Sequence, residues 1–478
     1  MVLGSGDFLG FPTQSSSATD SSWTDDLPPC SNTGVGFSPN QTYRRDGYRN
    51  SEHELEDHSF HFRLDDNVCL YGVFDGHCGS QAALFAKQRI PAEILLGQLN
   101  ERSTEEEIRD LLHQAFLTVD QEYFEVTISS KLAERATLLT EMPEGGALYE
   151  TLNDLPPHIR SKLEELNIAV ASGTTAVVAL IFHGKLYVSN VGDSRALLCC
   201  TDETGVLRVI QLSVDDDLNN EQELRRLYNL NLDVSRLRSI GRLGNQSNTR
   251  CLGNYLVKGG YKEVDCLSSS ISDPVIPDPE VHPSVTLGVS SRFLLLLSHG
   301  LYRALAEASE EDQVNTHLAQ MVVAEFATQT SLTGVAQAVV DKVSRMHHEY
   351  FMNSTTPRVN KRDDMTLLVR NFNFPLPNSN LSPINGKIPS VPSFSLSNVT
   401  SPTSYESQMP KIVLSSPEIT LTNTGASTST ESSDLLTQSI QKIPLDANGR
   451  IQPYVDFSDY YKAVGSSGNT TEETSSQQ

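Results

Sequence analysis

The chain has 478 residues, of which 38% are hydrophobic, and its formal net charge at pH 7 is −24. Domains average about 150 residues, so this length predicts more than one unit, and the low apolar fraction provides one sizeable core at most. The acidic balance argues against a nucleic-acid-binding surface, which needs Lys and Arg to replace phosphate counterions. No segment approaches the ~20 apolar residues of a membrane span.

The beginning of the chain and its cysteines predict a cytoplasmic protein. Residues 1–4 contain no basic segment before an apolar core, so we expect no signal peptide, and Gly is not at position 2, so we expect no myristoylation. The seven cysteines are scattered and form no Cys-x-x-Cys pair. We therefore expect reduced and mostly buried thiols.

Composition divides the chain into five segments. Residues 1–20 are predicted to be a disordered leader, and residues 21–374 have the mixed, periodic composition of a globular domain. Residues 375–445 are rich in Ser, Thr and Pro and are predicted to be a disordered linker, because such a segment cannot bury enough surface to offset its ordering entropy. Residues 446–465 form a short aromatic segment, and residues 466–478 form a polar tail.

Strands and helices are both predicted within the globular segment. Residues 68–74 are a short apolar run that ends at Asp75-Gly76, which indicates a buried strand running into a loop. Ser103 and Glu106 have the spacing of a capping box, and the apolar stripe that follows predicts a helix. The stripe consists of Ile108, Leu111, Leu112, Ala115, Phe116, Val119 and Tyr123.

Two consecutive hairpins are predicted further along the chain. His183-Gly184 separates two apolar runs, and residues 202–205 separate the next two. A second helical stripe follows near the end of the domain, at Val335, Ala338, Val339, Val343 and Met346. Consecutive hairpins indicate antiparallel sheets, so we predict an α+β fold in which helices cover antiparallel sheets.

Four acidic segments lie at predicted strand ends, where loops can present their side chains. Each is weak evidence alone, since Asp-Gly is mostly a turn, but the four together, in this order, are specific. They are Glu56-Asp57, Asp75-Gly76-His77, Gly192-Asp193-Ser194-Arg195 and Arg362-Asp363-Asp364-Met365-Thr366.

With residues 172–176 and 296–302, these segments resemble the metal-dependent Ser/Thr protein phosphatases of type 2C over about residues 30–372. The resemblance implies a sandwich of two antiparallel β-sheets flanked by α-helices. It also implies a two-metal centre that activates a water for attack on a phosphomonoester. Asp75 would bridge the metals, Glu56 and the Gly76 carbonyl would bind one, and Asp363 would bind the other. His77 stands at the position of the family's proton donor, and Asp193 lies in a motif that supports a further metal.

Two departures from the family pattern fall on the chemistry. His299 stands where the family has a metal-binding Asp, although Mg²⁺ and Mn²⁺ prefer carboxylate oxygen. Glu52 stands where the family has its phosphate-binding Arg, and an anion there repels a phosphate. Arg49 would serve instead only after a loop shift. Residues 215–216 and Asn254 also depart from the pattern, in which the family has Asp-His and Asp.

We therefore predict a pseudophosphatase that requires no cofactor. The alternative is an active Mn²⁺- or Mg²⁺-dependent phosphatase that tolerates a His ligand. Residual binding of Mn²⁺ or Mg²⁺ through Glu56, Asp75, Gly76 and Asp363 is a further hypothesis, since these groups are all present.

The aromatic segment near the end of the chain predicts a partner-binding helix. Tyr454, Phe457, Tyr461 and Val464 recur at spacings of 3, 4 and 3 and form one apolar face, with Val455 and Tyr460 beside it. So short a helix is marginal in water, and its aromatic side chains are suited to a groove on another protein. The alternative is that the helix folds back on its own domain.

With residues 22–28, 250–255 and 364–372, this segment resembles the pseudophosphatase adaptors of the family that bind and activate the TGF-β-activated kinase. The resemblance covers nearly the full length except the linker. It implies that the kinase catalytic domain receives the helix, with Phe457 as the main anchor, and that the kinase's autophosphorylation rises.

The linker carries its own hypotheses. Ser382, Ser401 and Ser416 each precede Pro and are predicted sites of proline-directed phosphorylation, although Ser-Pro pairs also arise by chance in such composition. The resemblance also implies docking of a stress-activated MAP kinase near residues 391–414. Inhibitor-of-apoptosis proteins are a further candidate partner of the phosphatase-like domain.

Overall fold

The computed structural model describes residues 23–96, 99–102, 104–140, 156–309, 313–354, 360–377 and 411–414. The strands are β1 Thr33–Ser38, β2 Gln41–Tyr43, β3 Arg49–Asn50, β4 His58–Arg63, β5 Val68–His77, β6 Gly173–Phe182, β7 Lys185–Val191, β8 Arg195–Thr201, β9 Leu207–Gln211, β10 Leu252–Gly253, β11 Glu280–Thr286, β12 Ser291–Leu297, β13 Lys361–Arg362, β14 Met365–Asn371 and β15 Lys411–Leu414. The helices are α1 Gln81–Leu96, α2 Glu105–Tyr123, α3 Ser129–Thr140, α4 Pro157–Ala171, α5 Glu221–Asn229, α6 Val234–Ile240, α7 His299–Ser309, α8 Val314–Phe326 and α9 Leu332–Asn353.

The strands form two large antiparallel sheets. The first has the order β11-β7-β6-β5-β4, with β10 added to β6, and the second has the order β1-β14-β12-β8-β9-β15. A small sheet, β13-β2-β3, lies apart from them. The pairings of these sheets are antiparallel, as the predicted hairpins required.

The alternation of side chains along β5 explains the layering. Tyr71 and Val73 point toward the second sheet and share a core with Leu198, Leu296 and Leu368. The intervening residues of β5 point outward and are covered by α1 and α2. On the other side of the molecule, α7, α8 and α9 cover the outer face of the second sheet. The predicted α+β sandwich with flanking helices is confirmed.

Both predicted hairpin turns are present. His183 and Gly184, between β6 and β7, have φ values of 48° and 75°, as the two-residue turn that matches strand twist requires. Between β8 and β9, the Asp202 carboxylate accepts hydrogen bonds from the N–H groups of Thr204 and Val206. The turn then closes at Gly205, whose φ is 79°.

The predicted capping box is displaced by one residue. Thr104 caps α2: its hydroxyl accepts from the Glu107 N–H at 3.2 Å, and its own N–H donates to the Glu107 carboxylate at 2.9 Å. Ser103 lies outside the described residues. Two overlapping Ser/Thr-x-x-Glu patterns occur in the sequence, and only the helix start decides between them. The predicted apolar stripe of α2 is buried, and a π-helical turn, Phe124–Ile128, leads on to α3.

The structure differs from the predicted linker at one segment. Lys411–Leu414 forms β15 and pairs antiparallel with β9, within residues predicted to be disordered. Without β15, strand β9 would be a sheet edge with unpaired backbone groups, which favours the addition of an extended segment. Residues 1–20, the rest of the linker after residue 377, and residues 446–478 lie outside the described residues, and with them the predicted terminal helix and phosphorylation sites.

Two further expectations concern the thiols and the membrane. All seven cysteines are free, and four of them are buried: Cys30, Cys69, Cys199 and Cys251. The prediction of reduced, mostly buried thiols is thus confirmed. Among the described residues, no helix combines the length and the apolar character needed to cross a bilayer.

Candidate active site

The four acidic segments come together around one cavity of about 340 Å³. Glu56, Asp75, Asp193 and Asp363 all line it, with His299 among them. Asp75 lies within β5 of the first sheet, which continues to His77 instead of running into a loop at Asp75-Gly76 as predicted, because these residues pair with β6. His299 begins α7, after β12 of the second sheet. The cavity therefore lies where the two sheets meet, and we refer to it below as the carboxylate cavity.

Asp75 is held by the start of α7. Its carboxylate accepts a hydrogen bond from the His299 backbone N–H at 2.8 Å. Desolvation raises the pKa of Asp75 well above its ordinary value, and the negative charges of Asp57, Asp363 and Asp193 raise it further. The acids of the cavity therefore repel one another unless a positive group compensates them.

Glu56 is held by backbone contacts. Its carboxylate accepts from the Gly79 N–H at 2.7 Å, and its own N–H donates to the Asp364 carboxylate at 2.7 Å. The other Asp364 oxygen accepts from the backbone N–H and the side-chain amide of Asn40, at 2.5 and 2.9 Å. A Cβ on Gly76 would lie 2.5 Å from the Glu56 carbonyl oxygen, so only glycine permits this approach. We call this group the Glu56 side of the cavity.

His299 holds the opposite side by its ring. Its Nδ1 lies 2.6 Å from the Asp193 carboxylate and 3.1 Å from the Tyr302 hydroxyl. A carboxylate only accepts hydrogen bonds, so Nδ1 carries the proton. Burial lowers the pKa of His299, but the charge of Asp193 and the hydrogen bond to it outweigh burial and raise the pKa. We call this group the His299 side.

Two more acids lie near the His299 side. Asp363 accepts from the Asp364 N–H at 2.8 Å, and desolvation raises its pKa. Asp57 is buried with the hydroxyls of Ser298 and Thr366 beside it, yet neither carboxylate oxygen accepts a hydrogen bond of ordinary geometry. Burial raises the pKa of Asp57 to about 8.

The predicted proton donor, His77, is a neutral acceptor. Its Nε2 lies 3.3 Å from the Asn254 side-chain nitrogen, which donates to it, and burial lowers the pKa of His77 to about 4. Asn254 has a φ of 58°, and its amide also donates to Gln246 at 2.6 Å. At neutral pH the ring is therefore held as an uncharged side chain.

Neither Glu52 nor Arg49 forms an anion-binding group in the cavity. The exposed Glu52 carboxylate lies 2.6 Å from the Lys361 ammonium, which lowers its pKa. Glu52 lines a second cavity of about 360 Å³ that shares His299 and Asp363 with the first. Arg49 lies on the exposed strand β3 and lines neither cavity. Arg242, which lines the carboxylate cavity, belongs to no motif and was missed by sequence reasoning.

The predicted metal-binding residues reach the same cavity but do not form a ligand set. In the described part of the chain, no group of three or more His, Cys, Asp or Glu side chains is placed to hold a metal ion. The carboxylates of Glu56, Asp75 and Asp363 each already accept a backbone N–H. The donor set therefore does not fit a two-metal centre, and residual binding of one ion stays a prediction.

Comparison with known proteins identifies the family. Residues 121–343 match the family model for protein phosphatase 2C. "Probable protein phosphatase 2C 2" from Paramecium tetraurelia is 31% identical over 281 residues, which cover 58% of this chain and 78% of that protein. This chain belongs to the protein phosphatase 2C family.

Another relative is named as a kinase-binding protein and not as a phosphatase. "TGF-beta-activated kinase 1 and MAP3K7-binding protein 1" from Caenorhabditis elegans is 24% identical over 362 residues, which cover 73% of this chain and 83% of that protein. A solved serine-threonine phosphatase 2C from Toxoplasma gondii is 17% identical and covers 72% of this chain and 96% of its own, with a TM-score of 0.41.

Proposed function

We propose that this phosphatase 2C family member is a non-catalytic adaptor that binds the TGF-β-activated kinase and raises its autophosphorylation. The main support for a non-catalytic role is the 2.6 Å contact between the His299 ring and the Asp193 carboxylate. It puts an imidazole, itself bonded to an acid, at the position where the family pattern has a metal-binding carboxylate. Metal-assisted hydrolysis needs the metals and a held phosphate together.

The phosphate side of the site supports the same proposal. A family phosphatase needs a cation that grips the substrate dianion, and Glu52 offers an anion paired to Lys361 at the surface. Arg242 lines the carboxylate cavity together with Glu56, Asp75, Asp193 and Asp363, so its charge is offset by several acids. The retained scaffold is therefore more useful as a binding surface than as a catalyst.

The choice of partner is supported by the Caenorhabditis elegans relative, whose name describes binding to a kinase of this class. The predicted aromatic helix supplies a mode of binding, with its anchors at Tyr454, Val455, Phe457, Tyr460, Tyr461 and Val464. A helix that orders only on the kinase would favour the active arrangement by a shift of population rather than by new chemistry.

Two measurements on the full chain test the proposal. With Mn²⁺ and a phosphopeptide, we expect no turnover above a no-enzyme control, whereas an active family member assayed in parallel turns the peptide over. With the kinase domain, we expect higher autophosphorylation, and we expect this effect to vanish when residues 446–478 are deleted. Brisk turnover, or full activation by the deleted chain, would overturn the proposal.

The predicted main anchor of the terminal helix, Phe457, can be tested by substitution. Phe457→Ala should weaken binding to the kinase domain by about 2 kcal/mol, or roughly 30-fold, because a buried aromatic anchor dominates such an interface. Isothermal titration calorimetry measures this. Phe37→Ala is the matched control, since Phe37 is exposed on β1 in the phosphatase-like domain. An unchanged affinity for Phe457→Ala would place the anchor elsewhere, with Tyr461 as the next choice.

The alternative is an active phosphatase. It is favoured by the convergence of Glu56, Asp75, Gly76 and Asp363 on one cavity, and by the Paramecium relatives that are named phosphatases. The turnover assay separates the two functions directly. Phosphorylation of Ser382, Ser401 and Ser416, docking of a stress-activated MAP kinase and binding of inhibitor-of-apoptosis proteins stay predictions.

A further inference from the structure

The carboxylate cavity presents an electrostatic problem that the phosphatases of this family solve with metal ions. The charges of Asp57, Asp193 and Asp363 all act on Asp75, and the charge of Asp363 also acts on Asp57. Desolvated carboxylates at close range are unfavourable unless a cation or a set of hydrogen-bond donors compensates them. The donor set here does not fit a metal pair, so something else must hold the acids.

His299 contacts two of these acids from one position. Its ring holds Asp193 at 2.6 Å, and its backbone N–H holds Asp75 at 2.8 Å. The residue begins α7, an 11-residue helix, so its N–H is one of the helix's unsatisfied first donors and lies at the positive end of the helix dipole. Side chain and backbone of His299 thus both act on the acids.

The His299–Asp193 contact is not an ordinary surface ion pair. The side chain of Asp193 is 6% exposed and that of His299 is 31% exposed, so the contact is shielded from water. The charge of Arg195 also acts on Asp193, but the Arg195 guanidinium is hydrogen-bonded to Asp215, at distances of 2.6–3.2 Å. The closest support of the Asp193 carboxylate is therefore the His299 ring.

We propose that His299 takes over the structural task of the family's second metal ion, so that this domain keeps its acids in place without any metal. The proposal does not rest on kinase binding, and it stands or falls separately from the adaptor function. The proposal concerns the thermal stability of the domain, and it is tested by unfolding measurements and not by phosphatase activity.

Thermal unfolding of the full chain tests the proposal. In the wild type, we expect the same midpoint, within about 1 °C, in excess chelator and in millimolar Mn²⁺. A midpoint several degrees lower in chelator than in Mn²⁺ would overturn the proposal and would favour the residual metal binding predicted from the sequence, because it would show that a bound metal still holds the site.

Replacing His299 by Asp should make the stability of the site depend on a metal ion instead of on the His299 ring. His299→Asp adds a fifth acid and removes the ring donor, so we expect the midpoint in chelator to fall by at least about 5 °C and to recover in Mn²⁺. His299→Asn keeps a side-chain donor and should lose less than half of that. A His299→Asp variant as stable as the wild type in chelator would overturn the proposal.

A matched control tests whether the response belongs to the site. His183→Asp makes the same exchange at an exposed turn between β6 and β7, where Asp tolerates the positive φ. We expect its midpoint to be equal in chelator and in Mn²⁺. An Mn²⁺-dependent rise as large as that of His299→Asp would overturn the proposal. If His299→Asp does not fold in chelator, refolding it with and without Mn²⁺ gives the same comparison: recovery only with Mn²⁺ supports the proposal, and failure in both overturns it.

Discussion

The two sides of the carboxylate cavity are held by different means. On the Glu56 side, backbone N–H groups and a glycine without a Cβ fix the acids, and the Asp364 carboxylate links Glu56 to Asn40. On the His299 side, a single ring holds Asp193. The Glu56 side therefore depends mainly on backbone donors, whereas the His299 side depends on one imidazole side chain. A single substitution can therefore remove the support of Asp193 while leaving the Glu56 side intact.

The largest effect is expected where the two sides touch. Gly300 follows His299, and a Cβ there would lie 1.9 Å from the Asp364 carbonyl oxygen, a backbone atom that cannot move away cheaply. Gly300→Ala should lower the free energy of unfolding by about 3 kcal/mol or more. Denaturant unfolding measures this. Gly288→Ala is the control, because nothing lies within 4 Å of its Cβ, and it should change stability by no more than about 0.5 kcal/mol.

The next largest effect is expected for Asp364, on the Glu56 side, in comparison with Asp363, which lies near the His299 side. Asp364→Ala leaves three donors without their acceptor, two on Asn40 and one on Glu56, and should lower the free energy of unfolding by about 3 kcal/mol. Asp363→Ala makes the same change one residue earlier. Asp363 accepts one backbone N–H, and its charge is unfavourable in the cavity, so we expect a loss below about 1 kcal/mol. Equal losses would contradict the division into two sides.

The smallest effect concerns support behind the His299 side. Asp216 accepts from the Gly192 N–H, next to Asp193, and burial raises its pKa to about 8, against the attraction of Arg250. The folded state therefore binds a proton more tightly than the unfolded state, so the free energy of unfolding should fall as the pH rises from about 4 to 8. Asp216→Asn removes this titration and should flatten the decline between pH 5 and 8 by about 1–2 kcal/mol.

Asp202 supplies the control of opposite sign for that pH series. Hydrogen bonds, first from Thr204, lower its pKa to about 2 against partial desolvation. Its contribution is therefore present above about pH 4 and lost as the pH falls toward 2. Asp202→Asn should leave the slope between pH 5 and 8 unchanged. A similar flattening by both variants would show that the slope does not come from Asp216.

The sequence predicted the sheets, the hairpins and the membership of the site because these depend on local patterns. Alternating and continuous apolar runs define strands, His183-Gly184 fits only a tight turn, and the acidic segments lie in or beside strand ends that meet in this fold. The capping box could not be placed to the residue, because Ser103 and Thr104 begin the same pattern and only the contacts of the helix start choose between them.

The roles of His299, His77 and Asp364 were decided by the tertiary structure alone. The sequence identified His299 as a substitution, but not that its ring would find Asp193, which lies 106 positions away. His77 kept its place in the motif, yet burial beside Asn254 makes it a neutral acceptor. The sequence shows Asp364 only as part of an acidic segment, whereas in the structure its carboxylate links Asn40 to Glu56. Charge state and hydrogen-bond partners depend on which distant groups share a desolvated space, and no local pattern specifies that.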